Sequence, residues 1–176
     1  MTGFVKIFFS LFFSLFAALE LNGQTGQQMT ATGQITAEVM AVFSVSETSQ
    51  LNFGRFSPGY QGGELILTPQ GSVSVLGTVY PGSGLRNAAC FFITGSEDAA
   101  FSVSLPSAPV IITHETSART LTVKDWRSYP AEGTGTGMLQ NGFSEVKIGA
   151  TLKIGTLLDN PVGRYRGTYT ITFDFN

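Results

Sequence analysis

The chain has 176 residues, of which 12% are charged, 12% are aromatic and 21 are glycine. A helical enzyme domain usually carries about twice that charged fraction, and the formal net charge of −2 argues against the cationic face that nucleic acid or an anionic membrane requires. The length predicts a single domain with a sizeable core, and the charge predicts no nucleic-acid partner.

The first residues have the pattern of a secretory signal peptide. Lys6 precedes an apolar run, Ile7–Leu19, and small and polar residues follow that run. The run is shorter than the roughly 20 residues that a helix needs to cross a bilayer. We therefore predict that residues 1–23 are removed and that the protein is exported to the periplasm, the cell surface or the extracellular space, without a membrane span. An uncleaved membrane anchor is the alternative.

Residues 24–33 are polar and small, and we interpret them as a flexible N-terminal extension before one domain over residues 34–176. From Met29 to Val45 apolar or small residues alternate with mostly polar ones, which predicts a β-strand. Strands usually have about five or six residues. A strand of this length therefore predicts separate roles for its two halves.

Shorter strands follow, each ended by residues that favour turns. Asn141-Gly142 lies between apolar positions and is the strongest hairpin signal in the chain. The segment 57–63 predicts a turn, and residues 125–137 are too rich in glycine and proline for regular structure. Strands are expected within residues 50–56, 64–68, 72–80, 88–94, 100–105, 110–113, 119–124 and 138–155.

The last stretch has the most regular alternation. Aromatic, apolar or small residues occupy the odd positions from Tyr165 to Phe175, and polar residues occupy the even positions, which predicts one continuous half-buried strand. No segment after the predicted signal peptide keeps the 3.6-residue period of a helix. About nine or ten strands predict an all-β, antiparallel, immunoglobulin-like sandwich, with an up-and-down barrel as the alternative.

Few residues are suited to catalysis. Cys90 is the single cysteine, which permits no internal disulfide, and its apolar surroundings predict a small buried hydrophobe. His114 is the single histidine and is expected at a solvated strand end. The adjacent acids Glu97 and Asp98 fall in a predicted tight turn, and the glycines of residues 133–137 lack dinucleotide-loop spacing. We therefore predict no enzyme activity, no catalytic residue, no cofactor and no metal site.

One group of side chains is a candidate surface contact. Trp126, Arg127 and Tyr129 lie close together in the sequence, and an aromatic and arginine cluster can stack on a sugar or anchor a protein partner. The preferred interpretation is that Trp126 folds back and closes one end of the sandwich. The alternative leaves the three residues as a contact site.

Three short motifs resemble a known bacterial family, domain of unknown function family 4402, found in exported proteins of Gram-negative bacteria. They are Leu51, Phe53 and Gly54 in "LNFG", the nearby Pro58-Gly59, and the closing pattern over Gly163–Phe173. The resemblance extends from about Ala31 to Asn176. That family is similar in turn to spore coat protein U and to the pilins that a chaperone and an usher assemble.

The resemblance implies an exported structural subunit that assembles with sister copies or related envelope subunits, with a periplasmic chaperone as a further partner. Pilin-like subunits lack one strand, which a neighbour supplies by β-augmentation. A self-complete monomer acting as an adhesin or glycan-binding module is the alternative. The predicted interface residues lie on the extension, just after it at Ile35, and on the terminal strand: Met29, Ala31, Gly33, Ile35, Tyr169, Ile171, Phe173 and Phe175.

Overall fold

The computed structural model describes residues 28–40 and 42–175, with the backbone alone for residues 134–136. The predicted signal peptide lies outside the described residues. Those that are described form eleven strands and no helix, and every strand pair is antiparallel. The predicted all-β antiparallel sandwich is confirmed. The strands are β1 (Ser44–Ser49), β2 (Phe56–Leu67), β3 (Val73–Pro81), β4 (Ala89–Thr94), β5 (Ala100–Ser104), β6 (Val110–His114), β7 (Thr120–Tyr129), β8 (Gly133–Met138), β9 (Phe143–Ile154), β10 (Tyr165–Arg166) and β11 (Thr172–Phe175).

Strand β9 is the centre of the larger, eight-stranded sheet. One edge of β9 pairs with β4 over residues 143–148 and with β2 over residues 150–154, and the other edge pairs with β7. Strand β1 lies beyond β4, β3 lies beyond β2, and β6 and then β10 lie beyond β7. The even-numbered apolar residues of β9 are buried, as their alternation predicts.

The smaller sheet has the strand order β11-β5-β8. Strand β8 is formed by the glycine-rich residues for which the sequence predicted a loop, so that prediction is wrong. Gly137 pairs with Phe101 of β5, and a Cβ at Gly137 would overlap the Phe101 ring. The glycine therefore lets a fully buried phenylalanine lie across the neighbouring strand.

The core consists of two clusters of buried apolar residues. Trp126 and Leu51 pack against both clusters. Cluster 1 contains Phe53, Leu65, Leu67, Val79, Leu121, Val123, Ala150, Leu152 and Ile154. Cluster 2 contains Ala89, Ile93, Phe101, Val103, Leu139, Val146 and Ile148.

The N-terminal strand is shorter than predicted. The chain divides into two units between Val39 and Met40, and the described part of the first unit, residues 28–39, has no regular secondary structure. The first strand begins at Ser44 and not at Met29. The predicted extension and domain boundaries stay predictions, with residues 24–27 outside the described part of the chain.

Two predicted interruptions are bulges within long strands. Residues 57–63 were expected to turn, but they continue β2, with the register shifted between Pro58 and Gly63. Strand β7 likewise runs on to Tyr129, with a shift between Lys124 and Arg127 that includes Asp125 at a φ of 50°. Glycine or a residue with positive φ at an irregularity lets a strand bend without ending.

The Asn141-Gly142 turn is confirmed, but its two arms enter different sheets. Both residues have positive φ, 52° and 80°, as a type I′ turn requires, and Gln140 and Phe143 bridge across it. Before the turn, β8 pairs with β5, whereas β9 after it belongs to the larger sheet. The sequence signal therefore predicted the chain reversal and not the pairing.

The terminal strand is divided between the two sheets. Strand β10 pairs with β6 in the larger sheet, and β11 pairs with β5 in the smaller one. The prediction of one unbroken strand is therefore wrong, although the predicted alternation holds. From 165 to 175 the odd-numbered residues are half-buried, apart from the exposed Gly167, and the even-numbered ones are exposed. None of the described residues belongs to a helix capable of spanning a membrane.

Candidate functional site

The candidate site is the stretch 165–175, which we call the terminal edge. Strand β10 is the last strand of its sheet and β11 is the last strand of the other, so each has one edge without a strand partner among the described residues. Between them, residues 167–171 make no backbone hydrogen bond to any described residue. An exposed row of N–H and C=O groups is a template for pairing with another strand.

Gly167 marks the point where the chain leaves the larger sheet. A Cβ at this position would lie 2.8 Å from the Ile111 carbonyl oxygen and 2.8 Å from Ile112 Cγ2. Both distances are shorter than real Cβ contacts, so only glycine lets the chain pass this close to β6. The glycine thereby sets the crossing from β10 towards β11.

Aromatic side chains from three parts of the chain meet beside the terminal edge, and we call them the aromatic seam. The rings of Phe43 and Phe175 stack with centroids 4.0 Å apart, and those of Phe91 and Phe173 lie 5.7 Å apart at a tilt. Tyr169 is the fifth member and contacts the Trp126 ring at 4.8 Å. The seam joins the start of β1, strand β4 and the terminal edge.

Tyr169 also makes a polar contact across this region. Its hydroxyl donates to Glu47 Oε1 of β1 over 3.4 Å. Burial raises the pKa of the Tyr169 phenol far above its usual value, and the neighbouring Glu47 carboxylate raises it further. The phenol is therefore a neutral donor at physiological pH, suited to holding β1 and not to proton transfer.

The predicted interface residues fall into two sets. Those on the terminal edge, Tyr169, Ile171, Phe173 and Phe175, are half-buried and pack against cluster 2. Those on the extension and at Ile35 just after it are exposed: Met29 is 89% accessible and Ile35 is 96% accessible, and Ala31 and Gly33 are exposed as well. The extension thus presents apolar side chains to solvent, with a period that suits a strand.

The predicted surface cluster is divided by the fold. Trp126 is half-buried and packs against both core clusters, whereas Arg127 is exposed and Tyr129 is 62% accessible. The indole Nε1 is buried and has no hydrogen-bond partner among the described residues. This position favours the role of a core side chain for Trp126 and leaves Arg127 and Tyr129 as the exposed pair.

His114 is buried, so the prediction of a solvated side chain is wrong. The Thr116 backbone N–H donates to Nδ1 over 3.1 Å, so Nε2 carries the proton and donates to the Val162 carbonyl, also over 3.1 Å. The His114 and Tyr165 rings are nearly perpendicular, with their centroids 4.9 Å apart. Because both ring nitrogens are engaged, His114 fastens the loop before β10 to β6.

The other candidate reactive groups are separated from one another. Cys90 is half-buried on β4, less buried than predicted. Glu97 and Asp98 lie exposed in a turn, as predicted, with Asp98 at a φ of 59°. Within the described part of the chain, no three metal-ligating side chains come together.

A polar cavity of about 400 Å³ lies where β7 begins, next to the loop after β9. Arg119, Lys153 and Asp159 line it. The Asp159 carboxylate accepts from the Thr156 hydroxyl over 2.7 Å and from its backbone N–H over 3.1 Å, and these bonds lower the pKa of Asp159. Asp159 therefore acts as a loop-stabilising residue.

Sequence reasoning missed Phe43, Glu47 and Phe91. Each lies far from the terminal edge in the sequence and reaches it only through the arrangement of the sheets. The one available signal was the alternation that continues into Phe43 and Val45, which indicated a strand but not its neighbours.

A family model described as "Domain of unknown function (DUF4402)" matches residues 43–175. The match begins at the phenylalanine that stacks on Phe175 and includes the whole terminal edge. No curated protein matches the chain, and no solved structure matches it.

Proposed function

The chain belongs to the DUF4402 family, and we propose that it is an exported, non-enzymatic structural subunit of the cell envelope or surface that assembles by β-strand donation. In this proposal the extension of one copy pairs with the terminal edge of another. Assembly of this kind needs an edge with free main-chain groups and a donor with alternating apolar side chains. The partners are sister copies or related envelope subunits, delivered by a periplasmic chaperone.

The observation that carries this proposal is the unpaired main chain of residues 167–171 between two edge strands. A protein usually covers such an edge, shortens it or places charges on it. Here the exposed residues of the stretch 167–171 are glycine and threonine, which do not prevent pairing. An added strand would supply hydrogen-bond partners to the free N–H and C=O groups.

The extension is suited to be the donor. Residues 28–40 have no strand of their own, so no existing pairing has to be broken. Burying Met29 and Ile35 would contribute about 1.5–3 kcal/mol each before the cost of ordering the segment, and Ala31 and Gly33 add little. Main-chain hydrogen bonds, at about 0.5–1.5 kcal/mol each, would then provide much of the affinity.

The side chains of the site favour assembly over catalysis. His114 uses both ring nitrogens in hydrogen bonds to the backbone, and Tyr169 holds its proton through burial. The adhesin alternative would depend mainly on Arg127 and Tyr129, because Trp126 is packed in the core. The terminal edge therefore has the stronger support as the functional surface.

Deleting residues 24–35 from the mature chain tests the proposal. We expect the deletion to convert multimers into monomers in size-exclusion chromatography with light scattering, because it removes the donor. The melting temperature of the monomer should stay within about 2 °C of the wild-type monomer, since the deleted residues that the structure describes are exposed.

A matched pair of variants separates strand pairing from a general effect of charge. Met29→Asp with Ile35→Asp places charges on the apolar face of the donor and should abolish the multimers. Thr32→Asp with Thr36→Asp places the same charges on the opposite face and should leave most multimers intact. A multimer distribution unchanged by the deletion, or a wild-type chain that stays monomeric at high concentration, would refute strand donation.

A further inference from the structure

We propose that residues 29–39 of one copy pair antiparallel with residues 165–175 of a second copy, in the register that places Glu38 opposite Arg166. This inference rests on the proposed function, because it specifies how the donor strand lies on the terminal edge. The occupant of the edge is therefore a second copy of this chain, held in a single alignment.

The two segments have the same length and the same alternation. In both, the odd positions are apolar, aromatic or small and the even positions are polar. An antiparallel pair aligns residues whose numbers have a constant sum, so odd residues meet odd residues only when that sum is even. With Glu38 opposite Arg166, Met29 meets Phe175 and Val39 meets Tyr165, and every residue of the terminal edge is covered.

Charge selects this alignment among those in which odd-numbered residues lie opposite odd-numbered residues. Glu38 is the only charged residue in the segment 28–40. Arg166 lies within β10 with a side chain that is 70% exposed, and its Nε binds Glu115 Oε1 at 2.6 Å. The guanidinium has five N–H donors, so a second carboxylate can bind it from the open side. A parallel strand with the same pair would place residues 29–37 beside residues 157–165 instead of along the edge.

Side-chain size agrees with the alignment. Ala31 lies opposite Phe173, and Gly33 lies opposite Ile171, so small donor residues face large residues of the edge. The outward faces bring threonines together, Thr32 with Thr172 and Thr36 with Thr168, and cross-strand threonine pairs are favourable. The donor therefore fills the space beside the seam without forcing two large residues together at these positions.

A slip by two residues, with Glu38 opposite Arg164, is the main competing alignment. It would place the polar Gln27 opposite Phe175. Arg164 also precedes β10. The register with Arg166 places the apolar Met29 opposite Phe175 and uses an arginine that is already in a strand.

Disulfide trapping tests the register. In a Cys90→Ser background, Gln34→Cys with Thr170→Cys places two thiols directly opposite each other, where Cβ atoms lie about 4.5–5.5 Å apart. Gln34→Cys with Thr168→Cys is the matched control, because both edge positions are exposed threonines and the second is opposite Gln34 only in the slipped alignment. Under mild oxidation of mature multimers, we expect at least about fivefold more covalent multimer from the first pair, since the second pair is only diagonal in the proposed register, after subtracting the Gln34→Cys background.

Each outcome has a definite meaning. Equal or stronger linkage through Thr168→Cys, in a protein that still forms multimers, would overturn the register and leave strand donation standing. A disulfide formed within a monomer would show that the extension covers its own edge and would overturn the second copy as occupant. If neither the wild type nor the Cys90→Ser parent forms multimers, both the proposed function and this inference are refuted.

A charge exchange tests the proposed ion pair between Glu38 and Arg166 independently. Glu38→Lys should weaken association about two- to fivefold, the range for an exposed ion pair. Adding Arg166→Glu should restore it, whereas adding Arg164→Glu should not. Rescue by Arg164→Glu alone would support the slipped alignment and overturn the one proposed.

Discussion

Replacing Trp126 with alanine should reduce the free energy of unfolding by about 2–3 kcal/mol. Truncating a fully buried tryptophan costs about 3–5 kcal/mol, and Trp126 is half-buried, which lowers the expected cost. The indole contacts both core clusters and lies 4.8 Å from the Tyr169 ring. Because Nε1 has no hydrogen-bond partner among the described residues, the loss of stability comes from packing. Trp126→Phe should therefore retain more than half of the stability that Trp126→Ala loses.

The assay is thermal unfolding of the mature chain, followed by far-ultraviolet circular dichroism and by calorimetry. For a domain of about 150 residues each kcal/mol corresponds to roughly 2–4 °C, so Trp126→Ala should melt about 4–12 °C lower. Tyr129→Ala is the matched control, because Tyr129 is on the same strand but 62% exposed. A surface substitution of that kind should change stability by less than about 0.5 kcal/mol.

A Trp126→Ala variant as stable as the Tyr129→Ala control would refute the core role of Trp126. If Trp126→Ala melts within 1 °C of the wild type, on the scale of about 2–4 °C per kcal/mol, the indole does not join the two clusters. If the same variant also loses binding to cells or glycans, Trp126 belongs to a contact surface with Arg127 and Tyr129.

Two further predictions concern Gly137 and Tyr169. Gly137→Ala should destabilise the protein by about 1–3 kcal/mol through overpacking, since a Cβ there would overlap the Phe101 ring. The control in urea unfolding is Gly82→Ala, whose Cβ would lie an ordinary 3.4 Å from Arg55 Cβ. Equal losses of stability in the two variants would contradict the reasoning. Burial raises the pKa of Tyr169, so the unfolded chain ionises from about pH 10 while the folded one does not, and stability should fall as the pH rises above about 10. Tyr169→Phe should make this loss of stability with pH shallower, when unfolding is measured from pH 9 to 11.5 in steps of about half a unit around the usual tyrosine pKa. An unchanged slope of stability against pH would show that Tyr169 is not buried in its neutral form.

The period of two predicted which residues face inward better than it predicted the strands themselves. From Tyr165 to Phe175 the inward residues were identified correctly apart from Gly167, but the change of sheet between β10 and β11 was not. Alternation depends on the local backbone, whereas the pairing partner depends on where β5 and β6 lie. For the same reason the sequence indicated one half of the candidate site and missed Phe43 and Phe91.

Glycine-rich segments were the least predictable part of the fold. Residues 57–63 and 133–137 read as a turn and a loop, yet both lie within strands. At Gly137 the reason is steric, because Phe101 occupies the space that a side chain would take. At Gly63, a Cβ would overlap the Leu76 carbonyl oxygen of the adjacent strand. A single sequence does not distinguish a glycine needed for a turn from one needed for close packing.

The two core clusters are joined by long chain segments and not by a disulfide, since the chain has a single cysteine. Strand β9 contributes Val146 and Ile148 to cluster 2 and Leu152 and Ile154 to cluster 1. The terminal edge does the same, since Tyr165 packs against cluster 1 and Phe173 and Phe175 pack against cluster 2. A donor strand along that edge would therefore add hydrogen bonds to both halves at once. Under the proposed register, assembly and stability are linked: any ligand that binds only the folded edge raises the free energy of unfolding, and this one would raise it for both clusters together.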